Sequence, residues 1–308
     1  MEILVTGGAG FIGKHLVQAL MAAGHRTTVL DLRKPEVADH WIHADIREDL
    51  FEVVRGFDAV YHLAAIANAI YAGQLPKKAY EINVLGTFNV AHACLKNEIP
   101  RLLYASTTWM SGLQVGEKVT EYSPFELHQM NTVYGSTKLA GEMVLQSTFA
   151  EYRGPRYTIM RYGIPYGEGM NIGLVVREFM HQAEKFKVLT IFGDGNQGRN
   201  FLYVGDLAEV QVRLLDEQAE NKIYNLASER LITVKELAEE VVEFFPAKIT
   251  YIPQARVEPR IKDVRSTAAF EDFGWRPDTA LSDGIARCVD WWGTVEQQEK
   301  DEGTYFVP

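Results

Sequence analysis

Residues 2–13 read Glu2-Ile3-Leu4-Val5-Thr6-Gly7-Gly8-Ala9-Gly10-Phe11-Ile12-Gly13: a short apolar run, a glycine turn, and the start of a stretch with helical periodicity that continues to Ala23. The glycines therefore fall where a strand passes into a helix. Gly7, Gly10 and Gly13 have GxxGxxG spacing, with Phe11 and Ile12 between the last two. Such a turn needs glycine for a tight reversal, for close approach to a pyrophosphate, and for packing the helix on the strand. The free N–H groups at the helix start then face the phosphates. In this strand–turn–helix context the motif predicts a dinucleotide site.

The second apolar run, Thr27–Leu30, ends at Asp31, about 20 residues beyond the glycines, where a carboxylate accepts from both ribose hydroxyls and repels a 2′-phosphate. The expected cofactor is therefore NAD rather than NADP, with Arg33 and Lys34 close enough to soften that repulsion. Further strand-length runs at Ala59–Leu63, Leu102–Ala105 and Tyr157–Arg161 alternate with helical patterns at Pro76–Leu95 and Asn131–Ala150. This alternation predicts an α/β fold with a Rossmann-type doubly wound parallel sheet, its ligands at the carboxyl ends of the strands. After Arg161 the rhythm changes: Gly163, Pro165, Gly167, Gly169 and Gly173 precede a helix over Leu174–Lys185. Phe201–Val204 and Ile223–Leu226 then read as buried strands again. The expected organisation is an NAD-binding domain over 1–163, to which 200–245 returns, and a smaller, interleaved C-terminal substrate lobe from 164–199 and 246–308.

The 308 residues are 47% hydrophobic and 23% charged, a composition that packs a globular core. Acidic residues outnumber basic ones 41 to 31, and a net charge of -10 leaves no basic footprint for nucleic acid or an anionic membrane. A small-molecule partner is expected, and an anionic one must meet local cations. Cys94 and Cys288 lie in helical stretches without CxxC spacing, so neither a disulfide framework nor a metal site is expected. The N-terminus lacks a basic start and a long apolar run, and no stretch reaches the roughly 18 apolar residues of a membrane span. A cytoplasmic location is expected, with a frayed polar tail at Glu296–Gly303.

Tyr134-Gly135-Ser136-Thr137-Lys138 places a phenol and an amine on one helical face. A phenol titrates near pH 10, and an adjacent ammonium stabilises its phenolate and brings it within working range. Tyr134 is the candidate acid/base and Lys138 its tuner.

Several ordered motifs accompany this pair: Thr6–Gly13, His62-Leu63-Ala64-Ala65, Asn83-Val84-Leu85-Gly86-Thr87, Ala105-Ser106-Thr107 and Arg161-Tyr162. They continue through Phe192-Gly193-Asp194-Gly195, Arg199-Asn200-Phe201, Tyr224-Asn225-Leu226 and Gly274-Trp275-Arg276-Pro277. Over almost its whole length the chain thus resembles the extended short-chain dehydrogenase/reductases, specifically the NAD-dependent sugar-nucleotide epimerase/dehydratase branch. The resemblance implies that Thr107 hydrogen-bonds the substrate hydroxyl beside Tyr134 and that Leu63, Ala64 and Ala65 run along the cofactor. It implies that Asn83 supports the active-site backbone, Asp45 and Ile46 flank the adenine, and Tyr162 lies beside the nicotinamide. Arg199 and Arg260 match arginines that grip a substrate diphosphate, for which guanidinium geometry is suited. A homodimer formed through helices such as Pro76–Leu95 and Asn131–Ala150 is also implied.

Two departures bear on the reaction. Where the family often has an Arg-Tyr-Phe-Asn type of sequence this chain has Arg161-Tyr162-Gly163-Ile164, and Ile164 has no side-chain hydrogen to donate; Asn171-Ile172-Gly173-Leu174 matches the next substrate-binding segment only loosely. The family's 4,6-dehydratases carry an Asp-Glu pair after the catalytic Ser/Thr, whereas Thr108 and Trp109 stand here. Trp109, Met110 and Ser111 replace a small-Val-Tyr run, making Trp109 a candidate substrate contact. The expected activity is epimerisation of a nucleotide-activated sugar at C4 through a transient 4-keto intermediate. The alternatives are a net NAD(P)-dependent sugar or alcohol dehydrogenase/reductase, which uses the same residues, and a non-catalytic NAD-binding protein, against which the intact Thr107, Tyr134 and Lys138 set argues.

Overall fold

The computed structural model describes residues 1–110, 118–125, 127, 130–171, 173–253 and 263–296. Seven parallel strands form the central sheet: β1 (Glu2–Thr6), β2 (Arg26–Leu30), β3 (His40–Ile42), β4 (Ala59–His62), β5 (Arg101–Thr107), β6 (Arg156–Tyr162) and β7 (Lys222–Leu226). Their spatial order is β7-β6-β5-β4-β1-β2-β3, the doubly wound arrangement that the glycine turn and the βα alternation predict. Pairing brings Leu30, Thr6 and His62 level with one another at one edge, and Thr107, Tyr162 and Leu226 likewise. The carboxyl ends of six strands therefore lie along one edge, on either side of the point between β1 and β4 where the order reverses.

Both faces of the sheet are dry because successive side chains alternate. Ile3, Val5, Tyr61, Leu103 and Met160 pack with helices α1 (Phe11–Ala22) and α7 (Val204–Arg213) on one face. Leu4, Val60, Leu102, Tyr104 and Ile159 pack on the other with α4 (Thr87–Lys96) and α5 (Val133–Tyr152). The expected single helix over Pro76–Leu95 is interrupted: after α2 (Ala69–Gln74), a π-helical turn at Glu81–Gly86 separates the short helix α3 (Pro76–Tyr80) from α4. Two local demands account for it. The Asn83 side chain is drawn out to the backbone of Ile66, and Gly86 lies against Ile46, where an added Cβ would come 2.6 Å from Ile46 Cδ1.

A second core gathers Tyr166, helix α6 (Val175–Phe186) through Val176 and Phe179, and Leu189, Phe201, Leu237, Ile285 and Trp292. The segment 200–245 divides between the cores. Strand β7 joins the main sheet and α7 covers it, whereas α8 (Val234–Phe244) packs in the second core. Phe201–Tyr203 forms a strand, but it pairs in parallel with Ile164–Tyr166, outside the seven-stranded sheet. Cys94 and Cys288 are buried free thiols. Among the described residues no helix is long and apolar enough to cross a membrane.

Helix α5 lies on β5 at a distance fixed by one glycine: a Cβ at Gly141 would come 2.1 Å from the Tyr104 hydroxyl oxygen. Gly141→Ala is expected to destabilise the protein by about 1–3 kcal/mol through overpacking, read as a lowered midpoint in urea unfolding.

Candidate active site

The glycine turn is built as the sequence implies. Gly7 has φ +74°, and a Cβ there would lie 2.6 Å from the Ala64 nitrogen, so the turn and the loop after β4 touch backbone to backbone. At Gly13 a Cβ would lie 2.3 Å from the Gly7 carbonyl oxygen, which is how α1 closes onto the turn. Gly10 is the N-cap of α1 and has no side-chain cap, so the N–H groups of the first helical turn, from Phe11 and Ile12 onward, remain available for an anion. Asp31 follows β2 directly, with one carboxylate oxygen accepting from Ala9 N–H (3.1 Å) and the other from Arg33 N–H (3.0 Å). The Arg33 guanidinium folds back to the Ala9 carbonyl (3.2 Å). These residues make a cradle that fits a dinucleotide: a bare helix start beside a fixed carboxylate.

Asp45, expected beside the adenine, is clamped by Arg47, with Arg47 Nε at 3.1 and 3.0 Å from the two carboxylate oxygens and Nη2 at 2.6 Å. Hydrogen bonding from Arg47 holds this carboxyl below the usual range despite partial burial. Ile46 is buried beneath, its carbonyl accepting from Asn89 (3.0 Å).

A buried chain of hydrogen bonds joins the loop Leu63–Ala65 to the helices above it. Ala64 N–H donates to Thr6 Oγ1 (3.3 Å), which sits 2.7 Å from His62 Nδ1. His62 Nε2 is 3.0 Å from Thr87 Oγ1, and Thr87 gives its own proton to the Asn83 carbonyl (2.7 Å). Thr87 can then only accept from the ring, which assigns the proton to Nε2 and leaves Nδ1 to accept from Thr6. Burial, with Lys138 nearby, pushes His62 down to about 3, so the ring stays neutral. The Asn83 side chain, turned by the π-helix, accepts from Ile66 N–H (2.8 Å) and donates to Ile66 O (3.1 Å) and Thr137 Oγ1 (3.0 Å).

Thr107 ends β5, and its hydroxyl hydrogen-bonds the Tyr134 phenol. Tyr134 opens α5 behind its N-cap, Thr132, whose hydroxyl accepts from Gly135 N–H (3.1 Å). Lys138, one turn on, is buried with its Nζ 4.2 Å from the centre of the Tyr104 ring. Burial drives the pair apart. It raises Tyr134 to about 12, opposed by the Thr107 hydrogen bond, and lowers Lys138 to about 7, opposed by the charge of Glu142. The sequence implies an ammonium that brings the phenol down, and the structure adds the counteracting force, the loss of water around both groups.

Tyr162 is buried at the end of β6, and its hydroxyl donates to Gln211 Oε1 (2.5 Å), away from α5, while its carbonyl accepts from Thr108 Oγ1 (3.2 Å). Trp109 is half-buried, its N–H donating to Thr107 Oγ1 (3.2 Å). Arg199 is buried in the short strand Gly198–Arg199, with Nη1 on the Gly198 carbonyl (2.9 Å). Its neighbour Asn200 accepts from Ile164 N–H (3.0 Å), which sets this segment beside the end of β6. Arg260, Ser111 and Ile172 lie outside the described residues.

Sequence reading missed Glu142, a buried carboxylate on α5 that accepts from Ser106 Oγ (2.6 Å) and from Arg161 Nε (2.9 Å) and Nη2 (2.7 Å). The signal was present: Glu142 follows Lys138 by four residues in the otherwise apolar run Leu139–Gly141 and Val144–Leu145.

A Rossmann-type sheet with a glycine cradle, and a Thr, Tyr and Lys set at the ends of β5 and α5, defines a dinucleotide-dependent enzyme class. The sequence pattern of the NAD dependent epimerase/dehydratase family matches residues 3–227, and the chain belongs to that family. It is 33% identical to a putative UDP-glucose 4-epimerase of Methanocaldococcus jannaschii, over 94% of this chain and 97% of that one. It is 34% identical to UDP-glucuronic acid decarboxylase 4 of Arabidopsis thaliana, over 94% of this chain and 68% of that one. The crystal structure of the Thermus thermophilus UDP-glucose 4-epimerase in complex with NAD superposes with a TM-score of 0.86 at 28% identity, covering 96% of this chain and 100% of that one. The protein is thus an NAD-dependent enzyme of a family whose members include sugar-nucleotide epimerases and decarboxylases.

Gly7→Ala is expected to weaken NAD binding at least about tenfold by calorimetry, because a left-handed backbone and a blocked approach to Ala64 both oppose the side chain. His62 makes a second expectation. Its folded pKa of about 3 lies below the 6.5 of the free ring, so the native state binds fewer protons than the unfolded state between those values. Stability held above pH 6.5 is therefore lost as pH falls toward 3. In urea unfolding at stepped pH, His62→Gln should flatten that acid slope while lowering stability at neutral pH.

Proposed function

We propose that this protein is an NAD-dependent sugar-nucleotide 4-epimerase. The observation that carries this reading is the Thr107, Tyr134 and Lys138 set combined with the two residues after Thr107. Thr108 spends its hydroxyl on the Tyr162 carbonyl, and Trp109 has no acid or base to offer. A centre so built moves one proton and one hydride at a single carbon, with no carboxyl pair at positions 108 and 109 for eliminating water.

Bound NAD would supply the hydride acceptor, cradled by Gly7, Gly10, Phe11, Ile12 and Gly13, with Asp31 at the ribose, Asp45 and Ile46 at the adenine, and Leu63, Ala64 and Ala65 alongside. Tyr134, as phenolate, would remove the C4 hydroxyl proton while Thr107 holds that oxygen and the C4 hydride would pass to the held cofactor. Lys138 offsets the phenolate charge, and Tyr134, Lys138 and Tyr162 would hold the nicotinamide end of the cofactor. Once the ketose has turned its other face, the held cofactor would supply the hydride for C4, and Tyr134 would give the proton back. Arg199 is the diphosphate anchor in this reading, with Trp109 as the wall of the sugar pocket.

A second reading is favoured by the Arabidopsis relative: oxidation of a C6 carboxylate sugar at C4 makes a β-keto acid, which loses carbon dioxide. With UDP-glucose, product without net NADH supports the epimerase; stoichiometric NADH identifies a dehydrogenase, and carbon dioxide released from UDP-glucuronic acid identifies the decarboxylase. Tyr134→Phe is expected to lower turnover by about 10²–10⁴-fold with NAD binding kept, and unchanged turnover would sink the mechanism.

Exposed apolar side chains crowd the helices beside this centre, Leu75, Tyr80, Leu85 and Phe88 before and within α4 and Met143 on α5. We infer that a second copy covers them, since isologous pairing is the commonest closed assembly. Phe88→Glu with Met143→Glu should convert a dimer to a monomer in light scattering.

A further inference from the structure

The buried cluster around Glu142 has no part in the proton and hydride steps above, yet it touches every element that supplies them. Ser106 immediately precedes Thr107 on β5, and Arg161 immediately precedes Tyr162 on β6. These strands run in register, with Ser106 opposite Arg161 and Thr107 opposite Tyr162. Glu142 follows Lys138 by one turn of α5, so the two side chains share a helical face, and both are buried against β5, Lys138 over Tyr104 and Glu142 on Ser106. The Glu142 and Arg161 side chains are 2% and 5% exposed, and Phe125 covers the guanidinium at 4.7 Å. An ion pair this dry is costly to form, and its bidentate geometry with a third bond from Ser106 offsets that cost.

We propose that Glu142 is a positioning residue of the acid–base centre: its carboxylate ties β5 and β6 to α5, and it supplies the counter-charge for the Lys138 ammonium. Arg161 and Ser106 serve this role by keeping Glu142 ionised and immobile. Among the described residues, the groups facing Lys138 from the packed elements leave no substitute. His62 on β4 is neutral, Tyr104 on β5 offers only its ring face, and Arg161 on β6 is itself a cation. None of the charged side chains between Ala69 and Lys96 is buried. Without Glu142, the dry setting favours Lys138 as a neutral amine beside a protonated Tyr134, and the phenolate form is lost. This inference rests on the proposed role of Tyr134 and Lys138.

The test uses Glu142→Gln together with the charge-neutral pair Glu142→Gln/Arg161→Gln, because removing one partner alone leaves a buried charge that endangers folding. Circular dichroism first establishes that the variants are folded, and two titrations follow. In the first, the pH profile of kcat should keep its shape while its plateau drops about tenfold or more and its acid limb moves about one pH unit lower. The limb moves down because Lys138 gives up its proton earlier, and the plateau falls because the remaining proton sits on Tyr134. KM should change by less than about threefold. In the second, the ¹³C resonance of Lys138 Cε, assigned with Lys138→Met, should titrate about one unit lower in the charge-neutral pair than in the native protein. A folded variant with unmoved limb and unmoved Lys138 titration overturns the proposal, as does a loss of kcat accompanied by neither shift. The Lys138 resonance reports on Glu142 even in an inactive protein, so a failure of the Tyr134 mechanism, seen in Tyr134→Phe, is separable from a failure of this inference.

Discussion

Helix α5 approaches β5 so closely that water is excluded between them, with Gly141 against the Tyr104 hydroxyl setting the distance. A helix with a larger residue there would stand off the sheet and let solvent reach Lys138. Because it does not, Lys138, Glu142 and Tyr104 meet in a medium where each charge needs a partner and each proton position is decided by neighbours rather than by bulk water. The neutrality of His62 follows from the same exclusion. The opposed displacements of Tyr134 and Lys138 are what a dry contact does to a phenol and an amine.

The polar groups in that contact are nearly all spoken for, and the manner of their pairing organises the fold. One chain of hydrogen bonds runs from Thr6 through His62 and Thr87 to Asn83, so it crosses β1, β4 and the π-helical turn before reaching α5 at Thr137. A second gathers Ser106, Glu142 and Arg161. Between them the carboxyl ends of the strands are pinned to the helix above, so the cradle at Gly7 and the pair at Tyr134 share one rigid frame. Preorganisation of this kind suits a reaction whose transition state differs from its ground state by small movements of a proton and a hydride.

Much of this was legible in the sequence, because its signals are local. The glycine spacing, Asp31 at the end of the second apolar run and the βα alternation each report on neighbouring residues, and the sheet follows them strand by strand. The pairing of Tyr134 with Lys138 was legible as a helical spacing. What escaped was non-local or energetic. Glu142 gains its meaning from Ser106 and Arg161, respectively 36 and 19 residues away in the chain. Phe201–Tyr203 has the composition of a central strand, yet it pairs with Ile164–Tyr166 beyond the sheet because the chain leaves β6 at Gly163, packed beneath the Asn200 carbonyl. The π-turn is invisible to periodicity, since one widened turn leaves the apolar positions on either side intact.

That widened turn carries a consequence for how such a chain can vary. A helix rotates by about 100° for every residue added or removed, and the turn at Glu81–Gly86 holds one residue more than an α-helical path would need. Asn83, within that turn, bonds the loop after β4, and Thr87, just past it, bonds His62. The spacing between these two side chains is therefore a matter of chain length as much as of residue type. Homologous enzymes should tolerate changes of composition along this helix far more readily than a single deletion within it, since a deletion would swing the polar contacts of one flank into the apolar packing of the other.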